Sequence, residues 1–143
     1  MRARLIGLVV VAGIALAGCA TGAPFRKIET IPSGKAVIYI YRPSALGPAV
    51  QYDVKRGDTV ITTMKAQGYY PYITDPGEVE LWAETESKAS VTLDVKPGEV
   101  YFVKAGIGMG FFVGRPRLQV VPREEGEKEI AECCKFVESE ASK

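Results

Sequence analysis

The sequence predicts an all-β fold: a small antiparallel β-sandwich of seven or eight short strands between Lys35 and Val121, followed by one C-terminal amphipathic helix. Three observations carry this. Apolar and polar side chains alternate with period two in Glu78–Glu84 and again in Ala89–Val95, as they do in strands with one buried face. Turns containing Gly or Pro recur at regular spacing between such runs, the pattern of sandwiches. Beyond Val121 the spacing changes, and Ile130, Cys133 or Cys134, and Val137 fall on one helical stripe with acids opposite.

At 143 residues, one domain is the expectation. Net charge is +1, without a basic face or a basic-aromatic motif, which argues against nucleic acid as a partner. The chain has no histidine, so the commonest general base and the commonest zinc ligand are both missing.

The chain begins with Arg2 and Arg4, and then runs uncharged from Leu5 to Gly18. Those fourteen residues fall short of the roughly 20 needed to cross a bilayer, but suit the apolar middle of a secretory signal. A buried core helix is the alternative. The order of basic start, apolar run and small-residue end favours a signal peptide over residues 1–18. Leu16-Ala17-Gly18-Cys19 resembles the lipobox of bacterial lipoproteins: an aliphatic residue, two small residues, then cysteine. The resemblance implies that the Cys19 thiol takes a diacylglyceryl group and that cleavage falls just before it. An ordinary signal with an incidental cysteine is the competing reading. Two or more acyl chains give stable anchoring, at about 0.8 kcal/mol per buried methylene. Ala20, where lipoproteins held at the inner membrane carry aspartate, points to the outer membrane, facing the periplasm. Cleavage would leave 125 residues with 16 basic and 17 acidic side chains, too balanced for strong electrostatic steering.

Residues 19–34 have little periodicity and several Pro, Gly and Thr, so a lipidated, flexible tether is expected, spanning on the order of 20 Å as a coil. Residues 35–143 form the domain. Lys35–Arg42 (KAVIYIYR) is apolar on both faces and ends at Pro43, which predicts a central, doubly covered strand. Val50–Met64 reads as a hairpin turning near Arg56-Gly57. Arg56-Gly57-Asp58 matches an adhesion tripeptide by letter but reads as a turn. Asp75-Pro76-Gly77 and Lys96-Pro97-Gly98 rhyme, and both are expected as type II turns before a strand. The helix is expected from about Glu124 to Val137, with Gly126 weakening its first turn by roughly 1 kcal/mol relative to alanine.

Together AVIYIYRP, YYPYITDPGEVELWAET and KPGEVYFVKAG resemble the bacterial domain-of-unknown-function 2846 family, over about residues 35 to 130. The strand openings also resemble PEGA-type, transthyretin-like sandwiches, although Val79-Glu80-Leu81 lacks the histidine such strands often carry. The resemblance implies a small β-sandwich in the cell envelope, commonly lipid-anchored, and implies no reaction and no functional residues.

Four groups of residues could carry chemistry. Cys133-Cys134 is expected as one buried and one partly exposed thiol, since a helical backbone disfavours bonding adjacent cysteines; a disulfide is the alternative, and two thiols are too few for a zinc site. Glu78, Glu80, Trp82 and Glu84 share one outward strand face. Neighbours on that face lie about 6.6 Å apart, near the carboxylate separation of inverting glycosidases, yet a solvated face is the plainer reading. Tyr69, Tyr70 and Tyr72 suit packing at the core or sandwich edge, or a binding face. Gly106–Gly114 (GIGMGFFVG) is expected as a strand pair with a glycine-rich tip, because a dinucleotide site would need a βαβ unit. Exposed Met109, Phe111 and Phe112 would form an apolar patch for a partner or a membrane surface.

The sequence therefore points to a non-catalytic envelope lipoprotein, anchored through Cys19 and presenting Met109, Phe111 and Phe112 to another envelope protein, with no cofactor and no metal. A glycan-binding or glycan-hydrolysing domain using Trp82 and Glu80, with Glu78 or Glu84, is the alternative. A structural lipoprotein without a discrete ligand is a third reading.

Overall fold

A computed structural model describes residues 19–45, 47 and 49–137; the expected signal peptide lies outside them. Among the described residues, nine strands form two sheets. The five-stranded sheet has the order β8 (Arg115–Val121), β7 (Val100–Gly108), β1 (Ala36–Arg42), β4 (Gly68–Thr74), β9 (Lys135–Phe136). The four-stranded sheet has the order β3 (Thr59–Met64), β2 (Tyr52–Arg56), β5 (Gly77–Glu84), β6 (Lys88–Val95). The fold is an all-β sandwich with one helix, α1 (Arg123–Cys133).

Strand pairing, strand count and helix length differ from expectation. The sandwich is not wholly antiparallel: β1 runs parallel to β7, and β4 runs parallel to β9. The strand count is nine because β9, two residues long, adds to the edge of β4. The helix stops at Cys133, and Cys134 is extended at φ −120° and ψ 144°, which frees the next residues to pair with Gly68 and Tyr69.

β1 explains the architecture. All seven of its residues are buried. Ala36, Ile38 and Ile40 face the other sheet, meeting Val54, Leu81 and Val103 in the core between the sheets. Val37, Tyr39 and Tyr41 point the other way, into a second cluster with Tyr69, Phe102, Val121 and Ile130. The alternating faces of a strand thus feed two cores, as its apolar pattern on both faces required.

The second cluster is closed by α1 and by the segment expected to be a tether. That segment is seated on the sheet rather than hanging free. Phe25 meets Tyr39 and Tyr69 edge-on, with ring centroids 5.6 and 5.2 Å away. The Ile28 amide donates to the Tyr39 hydroxyl at 2.8 Å, the Phe136 amide donates to the Ala23 carbonyl at 2.8 Å, and Ile28 and Ile31 pack on the same cluster. The reason is unburied area: without Phe25, Ile28 and Ile31 the outer face of β1 and β4 would present aromatic rings to water.

Charged groups fasten the helix to this face. Glu129 accepts from the Tyr41 hydroxyl at 3.0 Å and pairs with Lys104 at 2.7 Å. Burial pushes its carboxyl up, but the hydrogen bonds from Lys104 and Tyr41 outweigh that and hold it below the usual carboxylate range. Glu127 bonds Arg123 at 2.8 Å and Lys27 at 3.0 Å, tying the N-terminal segment to the helix, and those two cations hold its carboxyl low as well.

The predicted hairpin and one of the two turns form as expected. β2 and β3 join through Gly57, at φ +57°. Lys96-Pro97-Gly98-Glu99 is a type II turn, with Gly98 at φ +75° and the Glu99 amide donating to the Lys96 carbonyl at 3.3 Å. Gly77, at φ +126°, is instead the first residue of β5, so the Pro-Gly rhyme does not extend to turn geometry.

Candidate functional site

β7 and β8 make an antiparallel hairpin whose loop, Met109–Gly114, leaves the end of the sandwich. Met109 is 95% exposed, Phe111 86% and Phe112 91%, and Val113 is half exposed beside them. Contiguous side chains this apolar are rarely left in water without a use. Burying each phenylalanine elsewhere would stabilise by about 1.5–3 kcal/mol.

The tip is held in place from the neighbouring β5–β6 turn. Glu86 accepts the Phe112 amide at 2.9 Å, and its other oxygen, buried, lies 4.0 Å from the Arg115 guanidinium. The Thr85 hydroxyl donates to the Gly114 carbonyl at 2.6 Å. A Cβ on Gly110 would fall on the Glu86 carboxylate, so glycine there permits the close approach. The Arg115 guanidinium also lies 5.9 Å from the Phe111 ring centre. A hollow of about 280 Å³ opens among Met109, Gly110, Phe111 and Arg115. A shallow groove of about 490 Å³ runs alongside, lined by Val50, Tyr52, Asp53, Glu84, Thr85 and Val113 among others. Thr85 and Glu86 carry no signal of this role in the sequence, where Thr-Glu-Ser is an ordinary polar turn.

Cys19 is exposed, and the strand directions fix its place. It bridges to Ala66, and the Ala20 amide donates to the Ala66 carbonyl at 2.9 Å, just before β4 begins. Gly68, the first residue of β4, is opposite Arg42, the last of β1. β7 runs parallel to β1, with Lys104 level with Tyr41, and continues four residues to Gly108. Cys19 and the tip therefore occupy the same end of the sandwich. The tip extends about 13 Å beyond the level of Lys104, and β7 lies two strands, about 10 Å, across the sheet from β4.

Buried Arg42 organises the loop at that end. Its guanidinium donates to the Val50 carbonyl at 2.6 Å and the Gly47 carbonyl at 3.0 Å, and lies 6.0 Å from the Tyr52 ring centre. Burial lowers its pKa. Burial also pushes the Tyr52 hydroxyl up to about 12, and that hydroxyl donates to the Gly106 carbonyl at 2.9 Å.

The remaining candidates are placed elsewhere. Glu78, Glu80 and Glu84 are exposed on β5 on the same face as Trp82. The Trp82 ring carries the Lys55 and Lys88 ammonium groups at 5.0 and 4.5 Å, and its indole N–H donates to the Gly57 carbonyl at 2.8 Å. Its faces are thus engaged by the protein's own cations. Tyr69 is part of the outer cluster, while Tyr70 and Tyr72 pack against the core between the sheets, which agrees with the packing reading. Cys133 and Cys134 are joined by a disulfide instead of being free thiols, and Cys134 is buried in the outer cluster. The objection from helical backbone lapses because the helix ends between them. Among the described residues no helix is long and apolar enough to cross a membrane.

No family model matches the chain, and no solved structure matches it. An uncharacterized protein of Haemophilus influenzae (strain ATCC 51907 / DSM 11121 / KW20 / Rd) is 29% identical over 140 residues, an alignment that covers 91% of this chain and 80% of that protein.

Proposed function

We propose that this protein is a non-catalytic module of the bacterial cell envelope, anchored by lipid on Cys19, with its contact surface at the Met109–Val113 tip. The observation that carries the anchor is an exposed cysteine directly after fourteen uncharged residues, the last two of them small. The observation that carries the contact surface is an apolar tip held outward by Glu86 and Thr85. Outer-membrane placement facing the periplasm, and membership of the domain-of-unknown-function 2846 family, belong to the same reading.

Fractionating cells that express the chain and its Cys19→Ser variant tests the anchor. The parent chain is expected in the membrane pellet and the variant in the soluble fraction. Equal partition of the two would remove the anchor from the account. The glycan alternative rests on Trp82 and Glu80, and sedimentation with peptidoglycan decides it: co-sedimentation lost on Trp82→Ala would favour glycan binding over the tip.

A further inference from the structure

We infer that the Met109–Val113 tip docks into the surface of the bilayer that holds the protein by its lipid. This deepens the proposed function by naming what the tip meets, and it rests on the Cys19 anchor. The strand directions supply the argument. Cys19 lies at the same end from which the tip projects, and the tip extends farther along the strand direction than Cys19's partner segment. A protein held to a membrane at that end presents the tip to the lipid. Amphipathic segments bury their apolar side about 5–10 Å into the boundary between headgroups and acyl chains; β7 ends about 10 Å past the level of Gly68, beside the Cys19 bridge, so the tip beyond it reaches that depth.

The chemistry of the end fits an interfacial contact. Met109, Phe111 and Phe112 supply the apolar part. Arg115 lies beside Phe111, and Lys65, next to the Cys19 bridge, and Lys135, opposite Gly68, add cations at the same end near the anchor, where lipid phosphates would lie. Glu86 is drawn back onto the Phe112 amide, while Glu84 is an exposed carboxylate of the groove. The tip is held outward before it meets anything, so little ordering accompanies docking. Tethering by the anchor makes the contact intramolecular, so even a weak insertion is populated.

Trp82 is the chain's one tryptophan, and its indole bonds Gly57 in the turn at the opposite end. The full chain, isolated from membranes in detergent, is reconstituted into phosphatidylethanolamine–phosphatidylglycerol vesicles containing bromine-labelled acyl chains. The Trp82→Phe, Phe112→Trp variant moves the reporter to the tip. At least twofold quenching is expected for the tip tryptophan, and essentially none for Trp82 in the parent. An unquenched tip in chains whose N-terminal mass shows a lipidated Cys19 overturns the docking and leaves the anchor standing; a tip that instead cross-links to a protein does the same. An unmodified Cys19 refutes the anchor, whatever the quenching reads. Phe112 is almost fully exposed, so tryptophan there leaves the fold intact, and an unchanged circular-dichroism melt confirms it.

Discussion

Gly126→Ala separates local propensity from tertiary packing in sign. In an isolated helix, replacing this glycine in the first turn of α1 stabilises by about 1 kcal/mol. In the folded chain, Gly126 is buried against Phe102, and an added Cβ would overlap that residue's Cβ, Cγ and Cδ1. These atoms are the rigid base of a buried side chain, so they cannot swing aside. Overpacking of this kind costs roughly 1–3 kcal/mol, and overlap with three atoms places it near the top of that range. Subtracting the helix gain leaves a net destabilisation of about 2 kcal/mol. For a domain of this size that corresponds to a fall in Tm of roughly 6–10 °C. Urea unfolding followed by Trp82 fluorescence and circular dichroism measures it, and an unchanged m-value keeps the comparison valid. In a Phe102→Ala background, which removes Cγ and Cδ1, Gly126→Ala is expected to cost at least about 1 kcal/mol less, a coupling between the two sites. A midpoint that rises on Gly126→Ala, as propensity alone requires, would refute the packing argument.

Other outcomes follow from the same structure. Phe25→Ala removes the ring that joins the N-terminal segment to Tyr39 and Tyr69, and a loss of roughly 1–3 kcal/mol is expected for this partly buried aromatic; a flexible tether would register no change in unfolding midpoint. Glu129 has its carboxyl held below its unfolded pKa, so its contribution is present above about pH 4.5 and is lost as pH falls through the folded value. Glu129→Gln should therefore cost about 1 kcal/mol or less at pH 7 and flatten the acid limb of stability against pH, whereas an unaltered acid limb would show that the Lys104 pair contributes nothing. Glu86→Ala removes the acceptor of the Phe112 amide, so limited proteolysis should cut within Met109–Gly114 several times faster while the melting temperature moves little; unchanged cleavage would mean that Glu86 does not hold the tip.

What was legible in the sequence was whatever is local. β5 and β6 were marked by alternation, the β2–β3 hairpin by Arg56-Gly57, and the central place of β1 by apolar residues on both its faces. The glycines at 106, 108, 110 and 114 marked a strand pair with a tip, but whether Met109, Phe111 and Phe112 are exposed stayed a condition that only the fold resolves. What was not legible depends on partners far along the chain. Val37 beside Val100 is a parallel pairing with no turn to announce it. Phe25, Ile28 and Ile31 stand among Pro, Gly and Thr with no strand or helix period, and only the uncovered outer face of β1 and β4 gives them a destination. The apolar stripe continues to Val137 and predicts a helix that far, but pairing of Lys135 with Gly68 draws the chain into an extended form and overrides the stripe. Glu86 could not be picked out because its role exists only once β5–β6 and β7–β8 meet at one end.

The most direct measurement is the intact mass of the mature chain isolated from membranes, with fragmentation of its N-terminal peptide. The account predicts a product whose first residue is Cys19, heavier there by a diacylglyceryl group. A product that starts at any other residue, or one with a bare thiol at Cys19, contradicts it.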